Sequence, residues 1–128
     1  MCGIAGVYSL DAKRPVSRQE IDKLTDAVAH RGPDGRGTWI DPGGLVALGH
    51  RRLSILDLSE NGRQPMAFAD GRYQITFNGE IYNFLEIRSE LSKKGYKFSS
   101  DSDTEVVLAS YQEWGKEMLN KLDRKSVV

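Results

Sequence analysis

The sequence predicts a mixed α/β chain with antiparallel pairing among its middle strands, and three observations carry that expectation. A helix with marked ends lies early, at VSRQEIDKLTDAVAHRG. Two apolar runs then bracket the turn DPGG. Finally, YQITF alternates with a period of two before a pair of helical patterns. The predicted order is strand, helix, several strands, helix, helix.

Each element has its own warrant. In the first helix Ser17 and Glu20 have capping-box spacing, and Val16 can staple against Ile21. Ile21, Leu24 and Val28 form its expected apolar stripe, and Gly32-Pro33 stops it. RGPDGRG follows as a turn-rich loop, because glycine and proline supply the dihedrals of tight turns. GTWI and VALGHRRLSILDL read as strands, with Val46 to Leu48 and Leu53 to Leu56 as apolar segments. ENGRQPM is a loop. In YQITF, Tyr73, Ile75 and Phe77 share one face, with Gln74 and Thr76 on the other. The second helix carries Phe84, Ile87 and Leu91 and ends at Lys93, Lys94 and Gly95. A third begins after SDSDTE, where Ser102 and Glu105 repeat the capping-box spacing and Thr104, Leu108 and Tyr111 share a face.

Composition narrows the function. A chain of 128 residues makes one domain, large enough to bury about two-thirds of the surface it exposes when unfolded. Eighteen basic residues balance eighteen acidic ones. Without an excess of Lys and Arg to displace counterions, a broad nucleic-acid surface is not expected. No apolar run approaches the roughly 20 residues that span a bilayer, and the start does not read as a signal peptide. One cysteine rules out an intrachain disulfide and fits a reducing, cytoplasmic setting. With His30 and His50 the only histidines, a Cys/His metal site is not expected, and no Gly-x-Ser-x-Gly elbow supports a serine triad.

The candidate chemistry starts at Cys2. Once Met1 is trimmed, an amine and a thiol share one α-carbon. An α-amino group has a pKa of about 7.7–8.0, so near pH 7 roughly a tenth is neutral and can accept a proton. That combines nucleophile and base without a histidine. Taken alone, Cys2 reads as an inert residue at a chain end; FNGEIYN changes the balance. Asn-Gly after a strand is ordinarily a hairpin turn, yet a helical pattern follows here. The Asn78 amide and the Gly79 N–H are the kind of paired donors that hold an oxyanion. Arg52 sits between apolar segments, where its planar fork suits a carboxylate; a solvated strand residue is the equal alternative. Asp103 lies at a helix start, where a capping role is its simplest reading.

MCGIAG, RGPDG, GHRRLSILDLS, QPM, FNGEIYN and SDTEVVL, in this order, resemble the glutaminase domain of glutamine-hydrolysing asparagine synthetases. These are class II glutamine amidotransferases of the N-terminal nucleophile superfamily. A leading Met-Cys-Gly is shared more widely, whereas FNGEIYN with RLSILD is specific to this family within the class. The resemblance implies an α+β fold, a four-layer αββα sandwich incomplete at its C-terminal end. Residues 1–123 would be the amidotransferase domain, in part. Residues 124–128 would be a divergent tail, since Arg124-Lys125-Ser126-Val127-Val128 replaces the family's glycine and apolar strand. The last strands are therefore expected to be absent, as in a truncated or frame-shifted chain.

The same resemblance implies the site. Cys2 would attack the side-chain amide of L-glutamine, giving a thioester and ammonia, and water would then release glutamate. Asn78 and Gly79 match the oxyanion positions, and Arg52 the residue gripping the α-carboxylate. Asp103 and Glu80 match those holding the α-ammonium. Leu53, Ser54, Ile55 and Leu56 match the pocket lining, with RGPDG as part of a lid or an inert turn. No metal or other cofactor is expected in this chain. ATP and magnesium are implied only for the synthetase domain, whose Ser-Gly-Gly-x-Asp-Ser loop has no counterpart here. That domain, normally in the same chain, is the implied partner, and a homodimer is compatible. The alternatives are a glutamine-binding module without turnover, a domain serving an acceptor other than aspartate, or an unrelated α/β protein with an incidental Cys2.

Overall fold

A computed structural model describes residues 2–53 and 60–126 as an α+β arrangement. Strands β1 (Gly3–Tyr8), β2 (Gly35–Ile40) and β3 (Val46–Arg52) form an antiparallel sheet in the order β1-β3-β2. The β2–β3 hairpin closes on DPGG as expected, with Ile40 opposite Ala47. Asp41 organises that turn, its carboxylate accepting from the Val46 (2.8 Å) and Gly43 (3.1 Å) N–H groups.

Helix α1 (Arg18–Ala27) packs on all three strands and is followed by a short 3-10 turn, Ala29–Arg31. Both halves of its capping box form. The Glu20 N–H donates to Ser17 Oγ at 3.1 Å, and the Ser17 N–H to Glu20 Oε2 at 2.8 Å. Its buried stripe differs from the expected one. Leu24 is exposed and Thr25 is fully buried below Ile21. Thr25 tolerates this because its hydroxyl donates to the Ile21 carbonyl at 2.6 Å, satisfying a polar group that burial would otherwise penalise. Gly49 makes the room, since a side-chain carbon there would strike the Thr25 hydroxyl.

A second body of structure holds the larger core. Strands β4 (Met66–Phe68) and β5 (Tyr73–Ile75) pair antiparallel, turning through Ala69 and Asp70 at positive φ. Strand β6 (Gly79–Ile81) leads into α2 (Phe84–Lys93), which ends in paired backbone bonds at Gly95 (φ 100°) and Tyr96. Helix α3 (Asp103–Trp114) packs against α2 and the β4–β5 pair. Ile81, Ile87, Leu91, Val106 and Ala109 form the centre of this core.

Two features of α3 depart from expectation. It is buried on every side from Thr104 to Ser110 while Tyr111 is exposed; both the β4–β5 pair and α2 pack against it. Ser102 caps it by accepting from the Thr104 N–H at 3.1 Å, but Glu105 does not complete a box. Its carboxylate accepts instead from the N–H and hydroxyl groups of Ser99 and Ser100. Burial raises the pKa of Glu105, but these bonds outweigh it and hold the carboxyl below its usual range.

The chain end also forms structure. Arg124–Ser126, β7, pairs antiparallel with β6, setting Ser126 opposite Gly79. Strands β4, β6 and β7 have three residues each, too few for period-two alternation to mark them in a sequence.

Candidate active site

Strand pairing decides where Cys2 lies. In the β1–β3 ladder Gly3 faces Arg51, so the preceding Cys2 comes to the end of β3 beside Arg52 and Leu53. The Leu53 N–H donates to Cys2 Sγ at 3.5 Å, and Arg31 Nε donates to the Cys2 carbonyl at 3.1 Å. Gly3 permits this seat. A side-chain carbon at that position would lie 2.8 Å from Val28 Cγ2.

Strand alternation sorts β3. Gly49 touches α1, and Arg51 reaches the Asp26 carboxylate of that helix at 3.7 Å. His50 and Arg52 therefore project from the opposite face, and both line one cleft with Cys2. The cleft measures ≈ 360 Å³ and is also lined by Leu53, Gln64, Asn78, Gly79 and Asp103. This is within the size range of a small-molecule pocket, about 300–1,000 Å³. Arg52 supplies positive charge, and Asp101 and Asp103 supply carboxylates.

Asp103 does more than begin its helix. Its Oδ2 accepts from the Ile81 N–H at 3.0 Å, joining the start of α3 to β6. Burial pushes its pKa above the usual carboxylate value; bonds from the Ile81 and Thr104 amides oppose this, and Glu80's charge adds to the rise. Glu80 itself is exposed and its side chain is not among those lining the cleft. Ser54, Ile55 and Leu56 lie outside the described residues.

RGPDG braces the site from behind. Arg51 Nε donates to the Gly32 carbonyl at 3.1 Å, and the Asp34 N–H donates to the Arg52 carbonyl at 3.0 Å. Residues 31–35 are absent from the cleft lining. Among the lining residues that sequence reasoning missed are His50 and Gln64. His50 was legible by alternation, two residues before Arg52 on the same strand. Gln64 carries no periodic signal. His50 is buried (2% exposed), and burial lowers its pKa, with the Arg52 charge assisting and a bond to the Phe77 carbonyl opposing.

Among the described residues, no cluster of three or more His, Cys, Asp or Glu side chains could hold a metal ion. No helix among them is long and apolar enough to cross a membrane.

With this geometry in place, comparison with known proteins decides the family. The glutamine amidotransferase domain family matches residues 1–124. The chain belongs to the glutamine amidotransferase domain family. Its relatives include the glutamine-hydrolysing asparagine synthetase 1 of Bacillus subtilis, 47% identical over 95% of this chain and 19% of that protein. The glutamine-hydrolysing asparagine synthetase B of Escherichia coli is 38% identical over 95% of the chain and 21% of its own length. The amidase chry2 of Gibberella zeae is 38% identical over 95% and 19%. This amidotransferase chain thus spans about a fifth of the length of the curated relatives it matches.

Proposed function

We propose that this amidotransferase domain hydrolyses L-glutamine to glutamate and ammonia at Cys2, and that in the intact protein the ammonia serves ATP-dependent amidation of aspartate. The convergence of Cys2, Arg52, Asn78, Gly79 and Asp103 on one cleft carries the reading. Glutamine is a zwitterion with an uncharged amide tail. A guanidinium and a carboxylate complement its two charges, leaving the amide for the sulfur.

In this mechanism the α-amine of Cys2, freed by loss of Met1, takes the thiol proton. The sulfur bonds to the amide carbon, and the carbonyl π electrons move onto oxygen. The Asn78 amide and the Gly79 N–H hold that oxyanion. Its collapse breaks the C–N bond as the nitrogen takes the proton, releasing ammonia and leaving a glutamyl thioester. Water attacks the thioester, expelling the thiol and glutamate. Arg52 grips the α-carboxylate and Asp103 the α-ammonium; Glu80, outside the cleft lining, adds negative charge beside Asp103. No cofactor enters these steps; ATP and magnesium act only in the synthetase domain.

The same reading takes the fold as a four-layer αββα sandwich, with α1 outside one sheet and α2 and α3 outside the other. Side-chain bonds across the middle support it, from Thr76 to the Gly49 carbonyl and from His50 to the Phe77 carbonyl.

Glutamine-dependent ammonia release by purified protein, with Met1 loss verified by mass, tests the proposal. Binding without release would favour a glutamine-binding module. Arg52→Ala is expected to raise KM about 10- to 100-fold, since a hydrogen bond to a charged group contributes about 1.5–3 kcal/mol. Its kcat should stay within about threefold, because the carboxylate is equally charged in ground and transition states. An unchanged KM would remove Arg52 from the glutamine site.

A further inference from the structure

Strand β5 ends at Ile75, so Thr76 and Phe77 lie outside any strand while carrying the chain into Asn78 and Gly79. Side chains hold this stretch instead. Thr76 Oγ1 donates to the Gly49 carbonyl at 3.0 Å. The Phe77 N–H donates to Gln64 Oε1 at 2.6 Å, and His50 Nε2 lies 3.3 Å from the Phe77 carbonyl. A carbonyl can only accept, so Nε2 carries the ring proton. Both peptide groups of Phe77 are thus tied to side chains that line the cleft, and neither side chain belongs to the charge pair assigned to glutamine.

We propose that His50 and Gln64 are positioning residues: by fixing both peptide groups of Phe77 they aim the Asn78 and Gly79 donors at the reacting carbonyl. The inference rests on the oxyanion role given to Asn78 and Gly79 above. Preorganised donors matter most where charge develops, and a displacement of about 1 Å at a reacting centre can cost about a hundredfold in rate. The two clamps share a seat. Gly37 and His50 are cross-strand partners in the β2–β3 ladder, and a side-chain carbon at Gly37 would strike the Gln64 carbonyl oxygen. The bare backbone of β2 therefore lets Gln64 settle beside His50, within reach of the same residue.

The test is steady-state kinetics on the unmodified protein, Gln64→Met and Gln64→Glu. Methionine keeps the length of the side chain and removes the acceptor. We expect kcat to fall about 10- to 100-fold with KM within about threefold, and Gln64→Glu, which restores an acceptor, to recover most of the loss. His50→Phe, which removes the donor to the Phe77 carbonyl, should show the same split. Amide hydrogen exchange at Phe77 reads the clamp without turnover. It should be slow in the unmodified protein and at least about tenfold faster in Gln64→Met. A raised KM with unchanged kcat would make Gln64 a direct glutamine contact and overturn the proposal. So would an unchanged kcat in both Gln64→Met and His50→Phe, or fast exchange at Phe77 in the unmodified protein. Failure of the glutaminase reading looks different: the unmodified protein would release no ammonia although Phe77 remained protected.

Discussion

Cys2→Ala is expected to abolish glutamine-dependent ammonia release, lowering kcat by about 10⁴-fold or more, the scale on which removing a nucleophile acts in other hydrolases. Among the described residues it is the only cysteine. The structural cost should be small. The Cys2 side chain is half-buried, and among the described residues its sulfur accepts one long bond, from the Leu53 N–H. Gly3 and the β1–β3 ladder, which seat the terminus, are unaffected. Glutamine should therefore still bind, through Arg52 and Asp103, with a Kd by calorimetry within a few-fold of the unmodified protein. Residual release within tenfold of the unmodified rate would place the nucleophile elsewhere.

Asn78→Ala should produce the second-largest effect, a fall in kcat of about 10²- to 10³-fold with little change in KM. The side-chain amide is uncharged and contributes most when the carbonyl oxygen acquires negative charge, so its loss belongs to the chemical step. The neighbouring Gly79 N–H remains, which is why the loss should fall short of that for Cys2→Ala. Arg52→Ala makes the contrast sharp, because it is expected to move KM and not kcat. Kinetics of the two variants side by side would show whether the cleft divides binding from chemistry in this way. A Asn78→Ala variant with undiminished kcat would remove the oxyanion role.

Local signals in the sequence were strong where the chain interacts with its near neighbours. The Ser17–Glu20 box, the DPGG hairpin and the Lys94-Gly95 helix end all lie within a few residues of their partners, and all formed. Patterns failed where a distant element decided the environment. Thr25 displaced Leu24 from the buried face because Gly49, on another strand, left space for it. Glu105 departed for a nearer reason: the loop five and six residues before it presents four donors, the N–H and hydroxyl groups of Ser99 and Ser100. The cleft shows the same division. Cys2, Arg52, Asn78, Gly79 and Asp103 could be picked out by residue type and motif, and they converge. Gln64 could not, since its significance comes from Phe77, 13 residues away; alternation could place His50 beside Arg52 but not reveal its bond to Phe77, 27 residues away.

The most direct measurement of the central claim is labelling by diazo-oxo-norleucine, an electrophilic mimic of glutamine, on folded protein lacking Met1. If the terminal sulfur attacks the amide carbon of glutamine, peptide mapping should find one adduct, on Cys2, and excess glutamine should suppress it. Folded and processed protein that shows no adduct on Cys2, or labels equally fast in saturating glutamine, would contradict the account.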